Sequence, residues 1–272
     1  MIDVNKEVAA ITEEITAMRT YIHENPELSM QEFNTCALLE DYVKKNVKYD
    51  RLKRVGKTGL FFEIKGTKPG NGPTLVFRGD IDALPIQEDP KMSPCSKVPG
   101  VMHACGHDVH GSINVGAAKI LSQHKDSFSG SLYFFIQPGE EVFQGAKLFL
   151  NDPEIDFAKI DAIAALHCSA ELEAGTIGVR YGTILAASDV FTITVKGKGG
   201  HGAHCHTLRD PVVAACAIVN GLQTLVPRET NPANAVVVSV CKMHGGVVNN
   251  IVPDTMELAG TCRTLTSRTE IE

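Results

Sequence analysis

A cysteine and a histidine stand two residues apart in the run His103-Ala104-Cys105-Gly106-His107-Asp108-Val109-His110. Thiolate, imidazole and carboxylate are the donors that borderline-soft divalent cations prefer. On a loop entering a helix, Cys105 and His107 can point at one centre, whereas His103 and His110 read better as ordinary polar residues. Gly139-Glu140-Glu141 follows an apolar run. Two adjacent acids there are costly unless positive charge lies beside them, and a cation would supply it. One carboxylate could then ligate while the other takes a proton from water; a solvated turn is the competing reading. His167 is the first polar residue after the apolar stretch 161–166, a place where a lone histidine is more often a core residue than a ligand; its company with the other groups favours ligation. Asp80 and Asp82, in Arg78-Gly-Asp-Ile-Asp-Ala-Leu-Pro85, suit either orientation of a ligand histidine or a plain loop with Asx turns.

These groups need a scaffold that gathers them. Apolar positions at helical spacing (Val8, Ile11, Ile15, Met18, Ile22) predict a helix over 4–24, with Asp3 as its N-cap and Asn25-Pro26 as its end. A second helix is expected over 31–47, and another over about 108–124. Strand-like runs occupy 60–64, 74–77, 130–136 and 161–166, with a proline- and charge-rich loop over 81–102. Alternating strands and helices imply an α/β sheet flanked by helices, in which ligands bind at the carboxyl ends of strands. Asp80, Glu140, Glu141 and His167 all fall at such ends. The texture changes after about residue 177: strands at 189–195, 235–243 and 256–261 surround a helix at 211–226, capped by Asp210 with proline in its first turn. The expected division is a catalytic domain over 1–177 and a small α+β domain over 178–272.

Bulk properties exclude other classes. The 272 residues carry a net charge of −6, and the basic residues are scattered, against a nucleic-acid partner. The longest basic cluster, Lys44 to Arg54, reads as a solvated face. No apolar run approaches the ~18 residues of a membrane span, and no signal peptide is evident, so a cytoplasmic protein is expected. The eight cysteines include no CxxC pair and are expected to be mostly small buried apolar residues.

The motifs, taken together, resemble the aminoacylase-type metallohydrolases, in the branch of N-acyl-amino-acid amidohydrolases, hippurate hydrolases and indole-acetyl-amino-acid hydrolases. The matching segments run nearly end to end: His23-Glu-Asn-Pro-Glu-Leu-Ser29, Arg78 to Pro85, His103 to Asp108, Gln137-Pro-Gly-Glu-Glu141, Leu166-His167, Lys198-Gly-Gly-His-Gly-Ala203, Asn250-Ile-Val-Pro-Asp254 and Gly260-Thr-Cys-Arg263. The resemblance implies a catalytic domain with a mixed sheet and a ferredoxin-like lid that makes a homodimer. It implies two divalent ions (zinc, manganese, cobalt or nickel), with Cys105 bridging them and His107, Glu141 and His167 as further ligands. Glu140 would be the general base. His201 and Asn250 would reach a partner subunit's site to stabilise the oxyanion, and Arg263 would clamp the carboxylate of an N-acyl amino acid. Two departures stand out. Cys205 replaces a proline in His204-Cys205-His206, which puts the local turn in doubt. The last ligand histidine of the family has no counterpart before Glu272, so both domains are expected to be incomplete and the chain a fragment.

Rival readings fit less of the sequence. Gly197-Lys-Gly-Gly-His-Gly202 has the form GxGxxG, but the next helix starts several residues on and no acid lies about 20 residues beyond. A Cys105 nucleophile paired with His107 leaves Glu140, Glu141 and His167 without roles. A metallopeptidase acting on dipeptides, or an inactive remnant that only dimerises or binds metal, remain the alternatives.

Overall fold

The computed structural model describes residues 2–265. The chain divides into two compact units, Met1–Glu173 and Ala174–Glu272, against the expected joint after residue 177.

The first unit runs α1 (Val4–Glu24), α2 (Phe33–Asn46), β1 (Arg51–Val55), β2 (Gly59–Lys65), β3 (Thr74–Asp80), α3 (His107–Gln123), β4 (Ser131–Gln137), α4 (Gly145–Leu150) and β5 (Ala162–Ala165). Its five strands form a mixed sheet in the order β1-β2-β4-β3-β5. β1, β2 and β4 pair antiparallel, while β3 lies parallel to both β4 and β5. The alternation of a pleated strand sorts its core into two faces. Leu60, Phe62, Ile64, Phe134 and Ile136 point one way and meet Met18, Ile22, Leu39, Val43 and Val115 from the three long helices. Phe61, Val76, Tyr133 and Phe135 point the other way, onto Phe149 and Ile155 around α4.

The helices begin and end where their sequence allows. Asp3 accepts a hydrogen bond from the Lys6 N–H at 3.2 Å and caps α1. α2 starts at Phe33, two residues later than the pattern suggested. The basic cluster is not simply a solvated face. Arg51, Lys53 and Arg54 lie on β1, where alternate residues and acids on neighbouring elements obscure the strand pattern. Lys53 pairs with Asp152 at 2.9 Å and Glu154 at 2.8 Å, and Arg54 with Glu40 at 2.6 Å. The cysteine expectation also fails: all eight are free thiols, but only Cys36 is buried. No helix among the described residues is long and apolar enough to cross a membrane.

The second unit holds β6 (Ala187–Lys196), β7 (Gly200–His201), α5 (Pro211–Leu222), β8 (Val236–His244), β9 (Ile251–Val252) and β10 (Thr255–Thr264). β6-β10-β8 form an antiparallel sheet, and β7 pairs with β9. Asp210 caps α5 by accepting from the Val212 and Val213 N–H groups. Ala215 then packs on Met256 and Leu258 of the sheet. The helix ends four residues before the expected position, at a turn over Leu225–Glu229 that contains Pro227.

Candidate metal centre

Three parallel strands deliver the polar groups at their carboxyl ends. β3 ends in Asp80 and leads to Asp82, β4 leads to Glu140 and Glu141, and β5 leads to His167. Cys105 and His107 arrive from the loop entering α3. That entry requires glycine: Gly106 has φ +83°, and a Cβ there would stand 3.1 Å from the Cys168 Cβ. The donor atoms of Cys105, His107 and His167 lie within 4.8 Å of one another, as do those of His107, Glu140 and Glu141. His107 is common to both groups.

Hydrogen bonds fix which ring nitrogen is free. His107 Nδ1 lies 3.1 Å from Asp82 Oδ1, so it carries the proton and the lone pair is on Nε2. That Nε2 is fully buried and has no hydrogen-bond partner; it lies 3.9 Å from Glu141 Oε1, which also lacks one. His167 donates from Nδ1 to the Cys168 carbonyl at 2.6 Å, which leaves Nε2 to face the Cys105 sulfur at 3.3 Å. Asp82 does more than orient His107, because its Oδ2 accepts from Ser29 Oγ at 2.7 Å and from the Glu141 N–H at 3.1 Å.

The site is strongly acidic. Burial would raise the Asp82 carboxyl, but hydrogen bonds from His107, Ser29 and the Glu141 backbone hold it down at about 2. Burial, then Glu141 and Asp80, raise Glu140 above the usual carboxylate range. Burial and the Glu141 carboxylate push the Cys105 thiol up to about 12. His107 is raised: burial opposes its charge, but Asp82, Asp80 and Glu141 outweigh burial. Four acids and a thiol around one buried imidazole make a cradle for positive charge. Lone pairs left without hydrogens at His107 Nε2 and Glu141 Oε1 would suit a divalent cation, and Cys105 and His167 offer further donors on the other side of His107.

Residues dismissed on sequence belong to this cradle. His110 is buried, bonded through Nδ1 to Asp80 Oδ1 at 2.6 Å, and accepts at Nε2 from the Cys168 N–H at 2.9 Å. It ties the strand ends of β3 and β5 together beside His167. The signal was its spacing of three from His107, which puts both on one face of α3. His103 is also buried rather than an ordinary polar residue. His23 joins Asp108 at 2.9 Å and Glu88 at 3.0 Å. Ser29 carried no warning of its contact with Asp82, which spans 53 residues.

In the second unit, β7 pairs with β9 so that His201 lies opposite Ile251, and the Gly202 N–H donates to the Asn250 carbonyl at 2.9 Å. His201 Nδ1 accepts from the Ala203 N–H at 3.1 Å, so its Nε2 carries a hydrogen to donate. The turn after it forms without the proline: Gly202–Thr207 is a short 3-10 segment kinked at His204. Arg263 stands elsewhere, opposite Ser188 and Val237 near the far end of β10. Eight residues separate it from Thr255, about 27 Å along a strand.

Comparison with known proteins gives the family. The profile of Peptidase family M20/M25/M40 matches residues 76–259. The chain is 37% identical over 260 residues to N-acetyl-L-cysteine deacetylase of Bacillus subtilis, covering 96% of this chain and 61% of that protein. It is 41% identical over 256 residues to IAA-amino acid hydrolase ILR1-like 2 of Arabidopsis thaliana, covering 94% of this chain and 57% of that one. The crystal structure of Bacillus subtilis YXEP, described as a dinuclear metal-binding peptidase, superposes with a TM-score of 0.80 at 36% identity, over 96% of this chain and 67% of that one. The chain thus spans less than two thirds of the curated relatives named here.

Proposed function

The chain belongs to Peptidase family M20/M25/M40, and on that premise we propose that it carries the metal centre of a hydrolase cleaving the amide bond of N-acyl amino acids, releasing an amino acid and a carboxylic acid. The observation that carries the reading is the buried, partnerless His107 Nε2, shared between a thiol–imidazole group and a pair of carboxylates. Cys105, His107, Glu141 and His167 would hold two divalent ions, of zinc, manganese, cobalt or nickel. When bound, such ions polarise the scissile carbonyl and bring the pKa of the attacking water toward ~7.

The remaining steps belong to the chain's own residues. Glu140, raised by burial and by Glu141, takes the proton from the attacking water and returns it to the leaving nitrogen. His201, through its Nε2–H, and Asn250 donate to the developing oxyanion, one such donor contributing about 3 kcal/mol. Arg263 clamps the substrate carboxylate with two parallel hydrogen bonds. Arg263 lies near the Thr264 end of β10, about 27 Å along the strand from Thr255, whereas His201 and Asn250 lie on or beside the β7–β9 ladder that precedes Thr255 in the chain, and we assign them to different sites. In the homodimer we propose, Arg263 serves one site and His201 and Asn250 serve the other copy's site. The relatives' names support the substrate class: one is an N-acetyl-L-cysteine deacetylase and another an IAA-amino acid hydrolase. The test is hydrolysis of a panel of N-acetyl and N-benzoyl amino acids with and without chelator. Chelator-sensitive turnover supports the reading; turnover only of free-amine dipeptides, or turnover indifferent to chelator, contradicts it.

A further inference from the structure

We propose that Glu32 is a positioning residue that holds the Gly139–Glu141 turn in place from outside the strand that carries it. Glu32 occupies the N-cap position of α2, where a carboxylate ordinarily accepts from its own helix. Its side chain makes no such bond. Glu27 caps α2 instead, accepting from the Asn34 N–H at 3.0 Å and the Thr35 N–H at 2.8 Å. Glu32 turns inward, fully buried, and Oε1 accepts from the Met30 and Gly139 N–H groups, both at 2.8 Å. A buried carboxylate without a cationic partner is costly, so the arrangement asks for a purpose beyond packing.

The geometry around it supplies that purpose. Gly139 has φ +54° and immediately precedes Glu140 and Glu141. Met30 also adopts a left-handed conformation, φ +65°, uncommon for a residue with a side chain. It brings its sulfur to within 2.5 Å of where a Gly139 Cβ would stand. Ser29 supplies a second strut, because Asp82 Oδ2 accepts from both the Ser29 hydroxyl and the Glu141 N–H. One short segment, residues 29–32, therefore grips the turn through Gly139 and, by way of Asp82, through Glu141. The directions of the Glu140 and Glu141 carboxylates are set by a loop more than 100 residues earlier in the chain.

The consequence for metal rests on the proposed function, and the test separates the two. Amide hydrogen exchange of the metal-free 272-residue chain is measured for Glu32→Ala, Glu32→Gln and Glu27→Ala, alongside cobalt(II) affinity for each and for Glu141→Ala. Glu32→Ala is expected to speed exchange over 139–144 by about tenfold or more, leaving β4 protected, and to weaken cobalt binding by about tenfold or more. Glu32→Gln keeps an oxygen acceptor and is expected to restore both. Glu27→Ala, which uncaps α2, lowers stability without loosening the turn. If the alanine variant does not fold, Glu32→Asp takes its place, since the shorter acid falls short of Gly139. Unchanged exchange over 139–144 overturns the proposal, as does a loosened turn that binds cobalt normally while Glu141→Ala does not. If Glu141→Ala itself leaves cobalt affinity intact, the metal reading fails and the exchange result alone decides the brace.

Discussion

A buried imidazole whose Nδ1 is tied to a carboxylate has one lone pair to place, and at His107 no protein hydrogen meets it. Asp82 holds that ring and also the Glu141 backbone, so Asp82→Asn is expected to weaken metal binding by about 10–100-fold, measured by calorimetry. Glu140→Gln should leave metal content unchanged while kcat falls about 10²–10⁴-fold. Burial depresses His103 to about 4. Unfolded, it takes its proton below about 6.5; folded, only below about 4. The unfolded state therefore holds more protons across that window, and stability falls on acidification, by roughly 3 kcal/mol in all. Urea melts of His103→Gln should show a flatter loss over the same range, and an unchanged slope would contradict this. The pairing of Cys105 with His107, and Glu140 with Glu141, was legible because unlike donors lay close in sequence. The parts played by His110 and Ser29 were not, because each acts through a neighbour that only folding brings near.

At the scale of elements, alternation and capping carried the reading well wherever one face of a strand or helix met the core. The helix at Val4–Glu24, its Asp3 cap, and the strands whose ends bear the acids follow from those patterns. β1 was obscured because Arg51, Lys53 and Arg54 are neutralised by acids from distant segments, which local composition does not show. The short ladder of β7 with β9 has only two residues a side, too few for any periodicity, yet it sets His201 opposite Ile251, the residue that follows Asn250. The entry to α3 depends on a left-handed glycine packed against Cys168. Gly106→Ala is accordingly expected to cost about 1–2 kcal/mol in denaturant melts, with any wild-type-like midpoint arguing against strain there.

For the whole molecule, the length of β10 decides how a dimer would be used. If Arg263 and His201 serve different sites, a mixture of His201→Ala and Arg263→Ala chains should regain activity that neither has alone. Random pairing makes half the dimers mixed, each with one intact site of two, so about a quarter of wild-type turnover is expected. No recovery on mixing would place both residues in one site. Metal affinity should also climb about tenfold per pH unit, because Cys105 must lose a proton that burial and Glu141 make it hold up to about 12. Every step of the account depends on cations seated among Cys105, His107, Glu141 and His167. Anomalous diffraction from crystals grown with zinc tests this most directly. Two peaks about 3.5–4 Å apart, at least one bonded to the Cys105 sulfur and flanked by His107 Nε2, are the expected result; density with no peak among these four side chains would contradict it.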